Sequence, residues 1–185
     1  MELTSAVWRQ FTRADAAVTR SLTEMWPKAP WLNAVMIVTA KYTPIVMLAV
    51  LVVAASDVIE VTTEVTAFTS VAASIVAALV IRTLHEPVSR LTSRPRPFDT
   101  EPFEPLLAHD RGESFPSNHA AGAMALACGA IHLPGYNCIL LTLAVGLCFS
   151  RIYCGLHHLS DVVVGAVGGT TCGIVCAFVS HSFFP

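Results

Sequence analysis

The stretch from Ser150 to Asp161, SRIYCGLHHLSD, joins two apolar runs, Ile139 to Tyr153 before it and Leu159 to about Phe184 after it. A helix needs about 20 apolar residues to cross the roughly 30 Å hydrocarbon layer of a bilayer. Two apolar runs joined by a polar stretch, the second longer than this and the first somewhat shorter, therefore read as membrane helices meeting at the interface. The same stretch sets Arg151, His157 and Asp161 at the edges of apolar segments, where a polar side chain is costly unless it serves chemistry.

Composition extends this reading to the whole chain. Apolar residues make up 54% of the 185 and charged residues only 13%, against roughly 25% in soluble domains. The mean hydropathy is +0.63. These values predict one integral membrane domain over residues 1–185, all-α, with five spans and about five to six transmembrane helices as the admissible range, plus an N-terminal interfacial helix. The formal charge of −2 gives no basic footprint for nucleic acid. Charges from Glu2 to Lys28 break up any apolar core of a cleaved signal peptide. Of the six cysteines, Cys128, Cys148, Cys172 and Cys176 lie inside apolar runs, with Cys138 and Cys154 at the margins, which predicts small packing residues and not a disulfide framework.

Outward from the 150–161 stretch, the spans follow from hydrophobic runs. Within residues 1–28, Val7, Trp8, Phe11, Ala14, Val18 and Leu22 recur at near-helical spacing among charges, as in an amphipathic helix lying on a membrane. Trp31 to Ala55 forms the first span, with Pro44 as a kink position and Lys41 inside it. An acidic turn at Asp57, Glu60 and Glu64 precedes a second span, Val65 to Ile81. Arg82 to Asn118 is polar and proline-rich and reads as a long functional loop. Ala120 to Leu133 is a short inner helix, and in the last span Gly165, Gly169 and Gly173 line one face for close helix packing.

Two further clusters, RPRPF at 94–98 and SFPSNH at 114–119, complete a set suited to phosphoryl transfer without a metal or other cofactor. Such a reaction needs neutralised equatorial oxygens, a nucleophile and a proton for the leaving group. His157 and Asp161 are four residues apart, so on one helix face the carboxylate would orient the ring and leave the other nitrogen free to attack. His119, behind Ser117 and Asn118 at the start of an apolar helix, would sit beside an anion held by the helix N-terminus and act as general acid. Arg96 and Arg151 offer planar forks for phosphate oxygens; Arg94, two residues before Arg96 in an extended segment, would point to the same side. Singly, each of these residues is more often a helix cap or an interfacial residue than a functional one.

As an ordered set they resemble the type 2 phosphatidic acid phosphatase superfamily, whose signature runs Lys-x6-Arg-Pro, Pro-Ser-Gly-His and Ser-Arg-x5-His-x3-Asp. The third part matches at Ser150, Arg151, His157 and Asp161, and the second at Pro116, Ser117, Asn118 and His119, with Asn where Gly is commoner. The first matches at Arg96 and Pro97; the signature lysine falls on Ser89, and the adjacent Arg90 is the candidate replacement. The resemblance implies a phosphohistidine on His157 supported by Asp161, His119 as acid, and phosphate contacts from Arg90, Arg96, Ser117, Asn118 and Arg151. RPRPF and HDRGESFPSNHA are most similar to bacterial undecaprenyl diphosphatases of the bacitracin-resistance type, which implies a polyprenyl diphosphate substrate in the cell (inner) membrane.

Phosphatidic acid or phosphatidylglycerol phosphate would suit the same physical layout, and a non-catalytic lipid-binding or transport protein is the alternative from another class. With five spans, nearly all Lys and Arg gather on the side of the motifs, which by the positive-inside rule points to the cytoplasm. Several of those arginines are placed by catalysis, and the resemblance implies an outward-facing site. That is the expectation carried forward.

Overall fold

Pro30, Pro97 and Pro134 each stand in the first turn of a helix, where the missing N–H has no intrahelical partner to lose. The computed structural model describes residues 2–56, 64–109 and 112–183. Its helices are α1 (Glu2–Thr23), a 3-10 turn (Trp26–Lys28), α2 (Pro30–Ser56), α3 (Glu64–Thr92), α4 (Pro97–Thr100), α5 (Asn118–Gly129), α6 (Pro134–Tyr153) and α7 (Leu159–Phe183). Segment 57–63, which holds most of the acidic turn, lies outside the described residues.

Among the described residues four helices, α2, α3, α6 and α7, are long and apolar enough to cross a membrane. The expected five to six is therefore too many. The discrepancy is α5, whose 12 residues rise only about 18 Å at 1.5 Å per residue. It runs inside the bundle against α7, α3 and α6, and eight of its residues, including Ala121, Ala125 and Gly129, are buried. It is a core helix whose surroundings are protein.

The glycine stripe explains how α5 is seated. A Cβ on Gly169 would stand 2.0 Å from the Ala121 carbonyl oxygen, one on Gly165 would stand 2.5 Å from that of Ser117, and one on Gly173 would stand 2.8 Å from that of Ala125. Only hydrogen fits at these three positions, so α7 and α5 meet backbone to backbone, as their spacing predicted. On the other side a Cβ on Gly129 would lie 2.5 Å from the Cα of Ser74 in α3.

A second correction concerns α3, which continues past Ile81 to Thr92 and takes in Pro87. The polar run from Arg82 is helix at its start, and the loop is correspondingly shorter. Polarity there reflects emergence from the apolar layer, with Glu86 and Arg90 paired at i,i+4 on the exposed face. Lys41 is exposed on α2 with its ammonium 5.3 Å from the Tyr42 ring centre. All six cysteines are free thiols.

Helix α1 rests on the bundle. Val18 and Leu22 pack against Ala120, Ile152 and Val162, and the same face buries Asp15 and Thr19. The α6–α7 turn is tied down by Trp26, whose Nε1 donates to the Tyr153 carbonyl at 3.0 Å, and by the Tyr153 hydroxyl bond to Asn33 at 2.8 Å. Gly155 in that turn has φ +73, and a side chain there would strike the Phe103 ring at 2.6 Å, so glycine is required twice over.

Candidate active site

Three chain segments converge at one end of the bundle: 93–98 after α3, 114–119 entering α5, and 151–161 between α6 and α7. Backbone bonds stitch them together, with Ser114 N–H donating to the Arg94 carbonyl at 2.8 Å and Ser117 N–H to the Asp161 carbonyl at 3.0 Å. The structure thereby gathers His119, Arg96, Ser117, Asn118, Arg151, His157 and Asp161 into one neighbourhood.

His157 is 3% exposed. Its Nδ1 faces the Ser114 carbonyl oxygen at 2.8 Å. A carbonyl only accepts, so Nδ1 carries the proton and Nε2 holds a lone pair. Nε2 lies 3.2 Å from Arg96 Nη1, which also donates to the Leu156 carbonyl at 2.9 Å. Burial first, then the charges of Arg151 and Arg96, push the ring's pKa well below its ordinary value. The ring is accordingly neutral at neutral pH.

Asp161 does not hold this ring directly, contrary to the i,i+4 expectation: Nδ1 and its Oδ2 are 3.9 Å apart. The reason is that α7 begins at Leu159, so His157 belongs to the turn and does not share the helical face. The fully buried carboxylate is instead saturated by other donors. Oδ1 accepts from Arg94 Nη1 at 2.6 Å, and Oδ2 accepts from the Ser114 hydroxyl and the His158 N–H at 2.9 Å. Support for the ring thus passes through Ser114, whose carbonyl and hydroxyl face the two partners.

Arg151 is 2% exposed, and its Nε and Nη2 have no hydrogen-bond partner; Arg96 Nε is in the same condition. Buried guanidinium N–H groups without acceptors are costly, and two such cations beside a neutral imidazole make a receptor for an anion. Ser117 caps α5, its hydroxyl accepting from Ala120 N–H at 3.5 Å. The Oδ1 of Asn118 has no partner.

The His119 ring opens to solvent at the mouth of this site. Surrounding protein and the charges of Arg151, His109, Arg96 and Arg82 push its pKa down to about 3. Water reaching the ring moderates the first of these effects, so the cationic neighbours are the part that bears on chemistry. Cys154, buried beside the site, has its thiol pKa pushed up to about 11 by burial. It is a packing residue and no nucleophile.

Arg90 is not brought in. Its Nε and Nη2 bond Glu86 Oε1 at 3.0 and 2.8 Å on the outer face of α3, because the helix runs on through Ser89 and turns Arg90 outward. Arg94 does not point where Arg96 does: it bridges Asp161 and Asp15, the latter at 2.6 Å through Nη2. Residue reasoning assigned no individual role to Ser114, Asp15 or Ser160. A signal for one of them was present, since Asp15, Val18, Thr19 and Leu22 share a helical stripe on which a carboxylate is out of place.

The chain is similar to several known proteins. A family model described as PAP2 superfamily matches residues 65–184. Undecaprenyl-diphosphatase BcrC of Bacillus subtilis (strain 168) is 31% identical over 111 residues, which cover 58% of this chain and 53% of that protein. Lipid A 1-phosphatase of Rhizobium johnstonii is 33% identical over 78 residues, 42% of this chain and 32% of that protein. The chain thus matches from a third to a half of the length of these curated relatives. Among solved structures, a PAP2-type phosphatidylglycerolphosphate phosphatase from Bacillus subtilis superposes with TM-score 0.65 at 24% identity, covering 93% of this chain and 85% of that one. Aquifex aeolicus LpxE gives TM-score 0.65 at 26% identity over 80% of this chain and 86% of that one.

Proposed function

Because the chain belongs to the PAP2 superfamily, we propose that it is a lipid phosphatase that removes a terminal phosphate from an anionic membrane lipid through a phosphohistidine on His157. The observation that carries this reading is the His157 ring itself, neutral, fixed by the Ser114 carbonyl at 2.8 Å, and flanked by the unpartnered donors of Arg151 and Arg96.

In the proposed reaction the headgroup phosphate enters between Arg96 and Arg151, whose free N–H groups take its equatorial oxygens. The Nε2 lone pair attacks phosphorus as the bond to the lipid oxygen breaks, and His119 delivers a proton to that oxygen. Water then cleaves the N–P bond with His119 as base, releasing inorganic phosphate. Asp161 and Ser114 stabilise the charge that develops on the ring as it becomes phosphorylated. With both histidines neutral in the free protein, the proton on His119 is gained as the phosphate's negative charge offsets Arg151 and Arg96.

A phosphate monoester of a glycerophospholipid, phosphatidic acid or phosphatidylglycerol phosphate, is the substrate class we put first, supported by the match to the phosphatidylglycerolphosphate phosphatase fold over nearly the whole chain. Undecaprenyl diphosphate is the second reading, supported by the relative BcrC. Phosphate release from the three lipids in one detergent, with and without EDTA, decides between them. Binding of all three with no release, and no acid-labile label on His157 from radiolabelled substrate, would leave only a lipid-binding protein. We place the site on the outer face of a bacterial cell membrane; labelling of a cysteine introduced at position 109 in intact cells by an impermeant reagent tests this.

A further inference from the structure

The family match begins at residue 65, yet one of the most buried carboxylates near the site comes from α1. Asp15 is 3% exposed. Its Oδ1 accepts from Ser160 N–H at 3.0 Å, and its Oδ2 accepts from the Ser160 hydroxyl and from Arg94 Nη2 at 2.6 Å. Arg94 Nη1 in turn reaches Ser160 Oγ at 2.7 Å and Asp161 Oδ1 at 2.6 Å. From Asp161 the connection continues through Ser114 to the Nδ1 of His157.

Burying a carboxylate is unfavourable unless its partners are well placed, and an apolar residue would tether α1 more cheaply. Here each oxygen is aimed. One meets a free N–H in the first turn of α7, and the other fixes the second arm of the guanidinium that grips Asp161. Although burial works against ionisation, Arg94 and Ser160 hold the Asp15 carboxyl below its ordinary pKa. Two carboxylates share one arginine, so losing either frees an arm of Arg94 and unbalances the charge behind the nucleophile.

We propose that Asp15 is a positioning residue for the reaction: from α1, acting through Arg94 and Asp161, it fixes the Ser114 carbonyl and with it the attack geometry of His157. This rests on the phosphohistidine reading above. Arg94 is by the same geometry a positioning residue and not a phosphate ligand.

The test uses the full chain, purified as wild type, Asp15→Asn, Asp15→Glu, Arg94→Ala and the double variant Asp15→Asn/Arg94→Ala. Rates are normalised to folded protein by thermal unfolding. Asp15→Asn should lower kcat about 30-fold with KM changed less than about twofold, since small misplacements of reacting groups cost up to about 100-fold in rate. Asp15→Glu should recover part of that loss. The double variant should be no slower than Arg94→Ala alone, because the two act as one unit. The extra positive charge left by Asp15→Asn should also move the acid limb of kcat/KM to lower pH, which a mere tether would not do.

The proposal is overturned if Asp15→Asn keeps more than half of wild-type kcat per folded molecule, if the two losses multiply, or if only KM changes. A wild type that releases phosphate from no lipid sinks the phosphatase reading and this inference with it. An active wild type with an unaffected Asp15→Asn sinks this inference alone.

Discussion

The two halves of α7 are positioned by opposite means. Around its first turn, Ser160 and Asp161 are held by directed polar bonds to α1, to the Arg94 segment and to Ser114. Further along, Gly165, Gly169 and Gly173 meet α5 with no side chain between the backbones. Close packing sets where the helix lies, and hydrogen bonding sets what its end presents. The difference predicts that stability and chemistry separate along a single helix, and each variant below strains that separation.

The largest effect belongs to the proposed nucleophile. His157→Ala should remove the labelled enzyme intermediate and lower kcat on the order of 10³-fold or more, while the thermal midpoint moves little, because a buried imidazole is replaced without disturbing the glycine seam. Rapid-quench trapping of labelled phosphate reads this directly. A variant that still accumulates acid-labile phosphate on the protein would remove His157 from the mechanism.

Next comes the packed half. In Gly169→Ala the new methyl would lie 2.0 Å from the Ala121 carbonyl oxygen and 2.8 Å from its carbonyl carbon, and these are backbone atoms that yield only if the helices part. Overpacking of this kind costs typically about 1–3 kcal/mol, so Tm and folded yield should fall. The kcat of the molecules that remain folded should stay within about threefold of wild type, on the order of the 0.5 kcal/mol at which distant sites stop influencing one another. A normal Tm with a collapsed kcat would show that the seam and the site are one unit.

That seam was legible in the sequence because a four-residue glycine repeat inside an apolar run admits few other uses. The ends of α2 and α7 and the C-terminal end of α6 were legible for a related reason, since long apolar runs flanked by proline or polar residues leave a helix little freedom in where it stops, whereas α6 begins at Pro134 and not at Ile139. Helix α5 was overcounted as a span because hydropathy cannot distinguish an environment of lipid from one of protein, and its many alanines suit both. The end of α3 was misplaced because Arg82, His85 and Pro87 resemble a loop by composition while the helix simply continues past them.

At the site, motif order was enough to bring His119, Arg96, Arg151, His157 and Asp161 together, but not to say who holds whom. The partner of His157 is a backbone carbonyl, which every residue possesses and no sequence pattern marks. The i,i+4 spacing of His157 and Asp161 suggested a contact that requires both to be helical, and the turn through Gly155 prevents it. Arg94 and Arg96 are chemically alike, and only the three-dimensional placement of Asp15 separates the tethered cation from the one beside the nucleophile.

A smaller effect concerns pH. In the proposed reaction the neutral form of His157 attacks, so that requirement is met above its pKa and lost as pH falls through it; because burial and two arginines depress that pKa in the free protein, the acid limb of kcat/KM should lie well below 6.5. The protonated form of His119 is needed in the complex, so that requirement is met below its pKa there and lost as pH rises through it. In the free protein burial and the nearby arginines hold that pKa below its ordinary value, and phosphate binding must raise it for the reaction to run. A pH profile of kcat should therefore be broad, with an alkaline limb that shifts when the charge of the bound phosphate is reduced in a monoanionic analogue. A half-maximal rate already at pH 6.5 on the acid side would contradict the depressed nucleophile.

The smallest effect sharpens the comparison between two arginines only four residues apart. Arg90 is bonded to Glu86 on an exposed helix face, where an i,i+4 pair contributes about 0.3–0.5 kcal/mol, whereas Arg94 is mostly buried between two carboxylates. Arg90→Ala should leave kcat and KM within about twofold and barely shift Tm, consistent with that energy. Should Arg90→Ala instead raise KM about tenfold, the energy of a charge-assisted contact to phosphate, the side chain must swing from Glu86 to the bound lipid. The lysine position of the family signature would then be filled in function although it is empty in register, and the polar end of the molecule would be less rigid than its hydrogen bonds imply.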